Sequence, residues 1–230
     1  MGYEMNFGKV FKDALVYPFR NINKFLIMLA LNFGSFLIIP IFMASGYEFR
    51  IIESTIQGSN ELPDFSKSGD LISQGFKIIA ASIIYGIPSY IVMFALIISR
   101  NPDLSVNGVY STIILAFIGF LVNIVFILSI VNMVAENRFG AVFDFKIVFQ
   151  LIKNLGWGRY LSYLVVYSII IEILGLIISM IFTHFMNMGS TFLIAFLVIM
   201  LHNAYVLMFG GRFSGLIYSN AAEGLEMEGR

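Results

Sequence analysis

The residues of this sequence best suited to chemistry lie in its most apolar stretches. Pro88, Asn123, Glu172 and His202 each fall near the middle of a long apolar run. If these runs cross one membrane, the four residues lie at a similar depth, where a charged carboxylate costs about 2.5–3.5 kcal/mol. Glu172 is therefore expected to face protein and to bond with one of the other three. Such a polar cluster could carry protons or ions, or could simply join helices through hydrogen bonds worth about 0.6 kcal/mol each.

The composition excludes an ordinary soluble domain. Of the 230 residues, 59% are hydrophobic and 12% are charged, and the mean hydropathy is +0.88, whereas soluble domains are about 45–50% apolar and about 25% charged. The net charge is zero, so no nucleic-acid partner is expected. There is no cysteine, the two histidines lack metal-ligand spacing, and no nucleophile–base motif occurs. We therefore expect no enzyme activity, no metal and no cofactor.

Five apolar runs are long enough, or nearly so, for a helix of about 20 residues that crosses a bilayer. They cover residues 25–45, 77–99, 111–135, 160–182 and 190–212. Only short polar segments separate them, so the sequence predicts one polytopic membrane domain over residues 1–220, followed by a flexible tail over 221–230.

The distribution of Lys and Arg favours four spans and a re-entrant hairpin over residues 24–57. If all five runs cross, the basic residues divide five to nine between the two sides; if the first run dips in and returns, they divide one to thirteen, as the positive-inside rule favours. Asn32, Gly34 and Pro40 interrupt this run, and each arm would reach roughly 15 Å, half of the hydrocarbon core. We predict an all-α integral membrane protein with four transmembrane helices, a re-entrant helical hairpin and both termini in the cytoplasm. Five spans are the alternative.

Three polar segments are amphipathic, and each leads into an apolar run. Their apolar residues follow the i, i+3, i+4 spacing of helices that lie in a membrane interface. The stripes are Phe7, Val10, Phe11, Ala14 and Leu15 within residues 6–20; Leu71, Ile72, Phe76 and Ile79; and Ile147, Leu151, Ile152 and Leu155. This pattern predicts three interfacial amphipathic helices and three degenerate repeats, each an interfacial helix followed by a hairpin.

The segment over residues 46–65, which ends the hairpin and follows it, has the composition of a clamp at the membrane surface. Tyr47 and Arg50 suit the interface and its headgroups. Gly58 can adopt the left-handed conformation that ends a helix, and Pro63 holds the residue before it in an extended conformation. We interpret these four residues as an interfacial clamp with a structural role. A binding site for a partner or a lipid headgroup is the alternative.

The same segment carries a family resemblance. GYEFRIIESTIQGSNELPDF (46–65) followed by DLISQGFK (70–77) resembles an archaeal membrane-protein family catalogued only as domain of unknown function 4013. An amphipathic opening like FKDALVYPF (11–19) precedes the hairpin in that family. The resemblance implies an archaeal polytopic membrane protein and supplies no activity, ligand or catalytic residue.

Two functions fit these observations. The first is a non-enzymatic scaffold or accessory protein of the cell membrane that binds a partner protein, a lipid or a second copy of itself. The second is a small permease or an ion or proton pathway built around Glu172. A cavity open to water beside Glu172 would favour the second function, and a dry, closed bundle would favour the first.

Overall fold

The computed structural model describes residues 6–99, 108–187 and 192–228, and within these ranges the chain is helical with no β-strand. The α-helices are α1 Phe7–Val16, α2 Ile22–Phe33, α3 Ile38–Ile56, α4 Ser68–Ile98, α5 Val109–Ala135, α6 Phe145–Leu155, α7 Trp157–Asn187 and α8 Phe192–Glu228. Short 3-10 turns cover Tyr17–Arg20, Gly34–Phe36 and Phe139–Phe143. The prediction of an all-α chain is confirmed.

Within the described ranges, four helices are long and apolar enough to cross a membrane, in agreement with the predicted four. They are Ser68–Ile98, Val109–Ala135, Trp157–His184 and Phe196–Ala222. Each extends beyond the predicted apolar run because its backbone hydrogen bonds continue into the polar flanks. Pro88 lies within α4 and does not end it, and α8 continues to Glu228, where the sequence had suggested a flexible tail.

The predicted hairpin is a helix–turn–helix in which α2 and α3 pack against each other. Its turn, Gly34–Phe36, lies where the sequence placed the break. Pro40 occupies the first turn of α3. Backbone N–H groups in a first turn have no partner within the helix, so a proline there costs no hydrogen bond. With 12 residues, α2 is about 18 Å long and falls short of a hydrocarbon core of about 30 Å.

Two of the three amphipathic segments form separate short helices, and the second does not. The buried faces of α1 and α6 pack into one core with α7 and α8, so these faces contact protein. Leu71 and Phe76 instead lie within α4, which runs without interruption from Ser68. Between residues 70 and 86 no proline or C-terminal capping signal ends the helix, so the interfacial stripe and the span are continuous.

Helix α3 lies between α4 and α8 and touches both through glycines. A Cβ on Gly46 would lie 1.9 Å from the Leu71 carbonyl oxygen, and one on Gly75 would lie 1.8 Å from the Phe42 carbonyl oxygen. These distances mean that the α3 and α4 backbones are in direct contact. On the other side, a Cβ on Gly215 of α8 would come within 2.7 Å of the Thr55 side chain.

Candidate functional site

The loop from α3 to α4, residues 57–67 and here called the clamped loop, has a fixed conformation at both ends. Gly58 has φ of 79° and Lys67 has φ of 55°, and both values lie in the left-handed region. Leu62 is buried and anchors the middle of the loop among Tyr17, Tyr47 and their apolar neighbours. The loop is therefore a structured element of the fold.

Two side chains of α3 donate hydrogen bonds to backbone carbonyls in the second half of this loop. The Tyr47 hydroxyl donates to the Pro63 carbonyl at 2.9 Å, and the Tyr47 ring stacks on Phe65 with centroids 3.8 Å apart. The Arg50 guanidinium donates to the carbonyls of Asp64 at 2.7 Å, Ser66 at 2.6 Å and Lys67 at 3.3 Å. One arginine thus fixes three carbonyls, as the fork of a guanidinium permits.

Side chains from three other parts of the chain bind the first half of the loop. Tyr17 donates to the Glu61 carbonyl at 3.1 Å, Arg20 to that of Asn60 at 2.8 Å, Lys24 to that of Leu62 at 2.6 Å, and Arg212 to that of Ser59 at 2.6 Å. Every carbonyl from residue 59 to residue 64 therefore accepts a hydrogen bond from a side chain. A loop held this way loses little further freedom when another molecule binds to it.

Arg212 connects the loop to the N-terminal helix. Its Nε donates to Asp13 Oδ1 at 2.6 Å and its Nη2 to Asn60 Oδ1 at 2.7 Å. The guanidinium also reaches the Thr55 hydroxyl at 3.3 Å and lies over the Tyr17 ring, 4.8 Å from its centroid. Arg212 is 2% exposed, and this set of partners compensates for burying its charge.

The carboxylate of Asp13 is shared between two arginines. Burial opposes its ionisation, yet hydrogen bonds from Arg212 and Arg20, with the charges of both, hold the pKa of Asp13 below its ordinary value. Asp13 is therefore ionised at neutral pH and balances a buried positive charge.

Of the four residues that the sequence singled out as a clamp, Tyr47 and Arg50 bind the loop, at Pro63 and beyond it, and Gly58 has the positive φ expected at the end of α3. Sequence reasoning missed the basic side chains from other helices, above all Arg212. In the sequence analysis, Arg212 was only the basic residue at the end of the last apolar run, 190–212. One feature of the sequence could have indicated this role: Arg212 lies between Gly211 and Gly215. Such glycines favour close helix packing, so an arginine between them is expected to face protein and not lipid.

The other four sequence candidates do not form one site. Pro88 is exposed and lines a shallow apolar groove with Tyr85 and Val122. Glu172 is exposed on α7, and no hydrogen bond or ion pair within the described ranges reaches it. His202 is half-buried on α8. No hydrogen bond joins any two of the four in the described part of the chain, so the expected meeting of Glu172 with a polar partner is not found.

A cavity with a partly polar lining does lie among the helices, beside a different carboxylate. It has a volume of about 130 Å³, and Glu48 of α3 lines it. Polar atoms also come from α4, α5, α7 and α8, in Ser82, Asn123, Tyr167 and Ser214. Asn123 is thus the member of the predicted cluster that reaches the cavity.

Two glycines of α8 make room for this cavity. A Cβ on Gly210 would lie 3.0 Å from the Tyr167 hydroxyl, and one on Gly211 would lie 3.5 Å from Cγ of Glu48. Glu48 belongs to α3, which is not one of the four long apolar helices. Burial raises the pKa of Glu48 to about 7. Within the described ranges no hydrogen bond or ion pair reaches this carboxyl.

Taken together, four apolar helices, a packed hairpin and a braced surface loop define a polytopic helical membrane protein. Comparison with family models places residues 33–183 in a family described as "Protein of unknown function (DUF4013)". The match covers more than half of the chain, so the protein belongs to this family, as the resemblance in the 46–77 segment had implied. Comparisons with curated proteins and with solved structures find no match.

Proposed function

We propose that this protein is a non-enzymatic scaffold or accessory component of the cell membrane, and that the clamped loop is the surface to which a partner protein docks. The observation that carries the proposal is the series of carbonyls from residue 59 to residue 64, each bound by a side chain. Such bracing would be unnecessary for a loop that only connects two helices.

The outer side of the clamped loop supports docking by a protein. The carbonyls of residues 59–64 bind inward, whereas Glu61, Ser66 and Lys67 are exposed. Because the backbone is ordered beforehand, a partner gains contacts without the cost of ordering the loop. The exposed side chains carry both charge signs and can form the polar contacts usual in protein interfaces.

In this proposal the loop and both chain termini lie in the cytoplasm, and α2 and α3 form a re-entrant hairpin. The supporting argument is the number of basic residues on the loop side of the four spans. Non-spanning backbone in a membrane requires cover by protein. Packing of α3 on α4 and α8 and of α2 on α8 supplies part of that cover, whereas the tip of the hairpin, residues 36–39, is exposed.

The alternative function, a pathway for ions or protons around Glu172, has weaker support. Glu172 is exposed on the outer side of α7 and is not among the residues that line the cavity beside Glu48. A pathway based on this chain would have to use the Glu48 cavity instead.

Crosslinking in native membranes tests the docking proposal. A photoreactive amino acid at Glu61 should give a discrete adduct with a protein, whereas the same group at the exposed Gln150 on α6 should not. Arg50→Gln should remove the Glu61 adduct, since it releases three loop carbonyls, and Arg138→Gln, at an exposed arginine outside the loop, should preserve it. Equal adducts at Glu61 and Gln150, or none at Glu61, would contradict the proposal.

A further inference from the structure

The Glu48 side chain is half-buried, and within the described part of the chain no hydrogen bond or ion pair reaches its carboxyl. Yet Glu48 lies at a cavity of about 130 Å³, large enough for several water molecules. A half-buried carboxylate next to open space can be compensated by a cation, a proton or water from outside the chain.

The polar neighbours of Glu48 have largely used their own donors. The Ser82 hydroxyl donates to the Ile78 carbonyl at 2.9 Å, the Ser214 hydroxyl to that of Gly211 at 3.1 Å, and Asn123 Nδ2 to that of Gly119 at 2.9 Å. Each of these bonds stays within one helix. What the three residues retain are acceptor oxygens, two hydroxyl and one amide. The cavity, whose lining is otherwise mainly apolar, thus presents these acceptor oxygens and the Tyr167 hydroxyl together with Glu48.

We propose that this cavity binds a small monovalent cation of the size of Na⁺, with Glu48 as the charged ligand and Ser82, Asn123 and Ser214 as neutral oxygen ligands. Carboxylate, carbonyl, hydroxyl and water oxygens are the ligands of hard cations. A single carboxylate matches a single positive charge, and the volume leaves room for water to complete the coordination shell. This site is independent of the docking function proposed for the clamped loop.

The test uses the purified full-length protein in detergent at pH 8, where Glu48 is mostly ionised. Thermal unfolding is followed in NaCl and in choline chloride at equal ionic strength, because choline is too large for the cavity. Saturating Na⁺ should raise the Tm by about 3 °C or more relative to choline. Glu48→Gln should abolish this difference, and Glu172→Gln, which removes an exposed carboxylate, should keep it.

Should Glu48→Gln fail to yield folded protein, Ser214→Ala and Asn123→Ala take its place. Each removes one neutral oxygen, and each should raise the Na⁺ concentration needed for half of the Tm shift several-fold. The proposal is overturned if Na⁺ and choline give the same Tm, or if the Na⁺ response persists in Glu48→Gln. It is equally overturned if the Tm depends on pH through Glu48 but not on Na⁺, since a proton would then be the occupant.

Discussion

Asp13 and Arg212 lie 199 residues apart in sequence and form an ion pair, with Arg212 Nε 2.6 Å from Asp13 Oδ1. This contact joins the first helix to the last beside the clamped loop. Both residues lie outside the 33–183 segment that matches the family model. The two ends of the chain thus complete a brace around a loop that the family segment contains.

Removing Arg212 should destabilise the fold far more than removing Arg20. The Arg212 side chain is 3% exposed and that of Arg20 is 29% exposed, although both pair with Asp13. Arg212→Gln removes the buried member of the pair, leaves the half-buried Asp13 carboxylate with one partner fewer, and should cost about 3–5 kcal/mol. Arg20→Gln should cost about 1 kcal/mol or less. Tm measurements in detergent compare the two variants, and equal losses would contradict this account of the brace.

The same pair predicts a loss of stability in acid. The folded-state pKa of Asp13 is lowered, so its contribution is complete above its ordinary pKa of about 3.9 and is lost as the pH falls through the lower folded-state value. The Tm of the wild-type protein should therefore fall more steeply below about pH 4 than that of Asp13→Asn. Parallel Tm curves for the two proteins between pH 7 and pH 3 would show that Asp13 does not contribute.

Close packing of α3 on α4 should not tolerate a methyl group at the contact. Gly46→Ala and Gly75→Ala each place a Cβ within 2 Å of a carbonyl oxygen, so the helices must separate at a cost of about 1–3 kcal/mol or more. Gly69→Ala in α4 is the control, because nothing lies within 4 Å of its added Cβ. We expect a lower Tm for the first two variants and an unchanged or higher Tm for Gly69→Ala.

Glu172 should be dispensable for folding. It is exposed on a long apolar helix beside Ile169, Ile173 and Leu176, which are also exposed, and a carboxyl facing hydrocarbon is unfavourable. Glu172→Leu should leave the Tm in lipid nanodiscs unchanged or raise it. A marked decrease would indicate a polar partner for Glu172 in the membrane.

The sequence predicted the helices well because hydropathy and length depend on local residues. It could not predict which side of α7 faces outward, since that helix is apolar around its whole circumference, and so it selected Glu172. Glu48 was overlooked because GYEFR resembles an interfacial segment. Only the approach of α3 to Gly211 on α8 turns Glu48 toward a cavity.

Only the local part of the clamp was predictable from the sequence. Tyr47, Arg50, Gly58 and Pro63 are close in sequence, and turn chemistry alone suggested a fixed loop. Arg212 reaches the same loop from 153 residues away, and no local pattern predicts such a contact. Long-range hydrogen bonds of this kind depend on helix packing, which the spacing of apolar residues does not determine.

Limited proteolysis of the clamped loop tests the central claim most directly, namely that the loop is rigid and faces the cytoplasm. Glu61 is exposed, so a Glu-specific protease can reach it, but cleavage requires local opening of the chain. In inside-out vesicles we predict slow cleavage at Glu61 in the wild-type protein, cleavage at least about tenfold faster in Arg50→Gln, and wild-type rates in Arg138→Gln. Right-side-out vesicles should give no cleavage at this site. Rapid cleavage of the wild-type loop, or cleavage from the outside, would contradict the account.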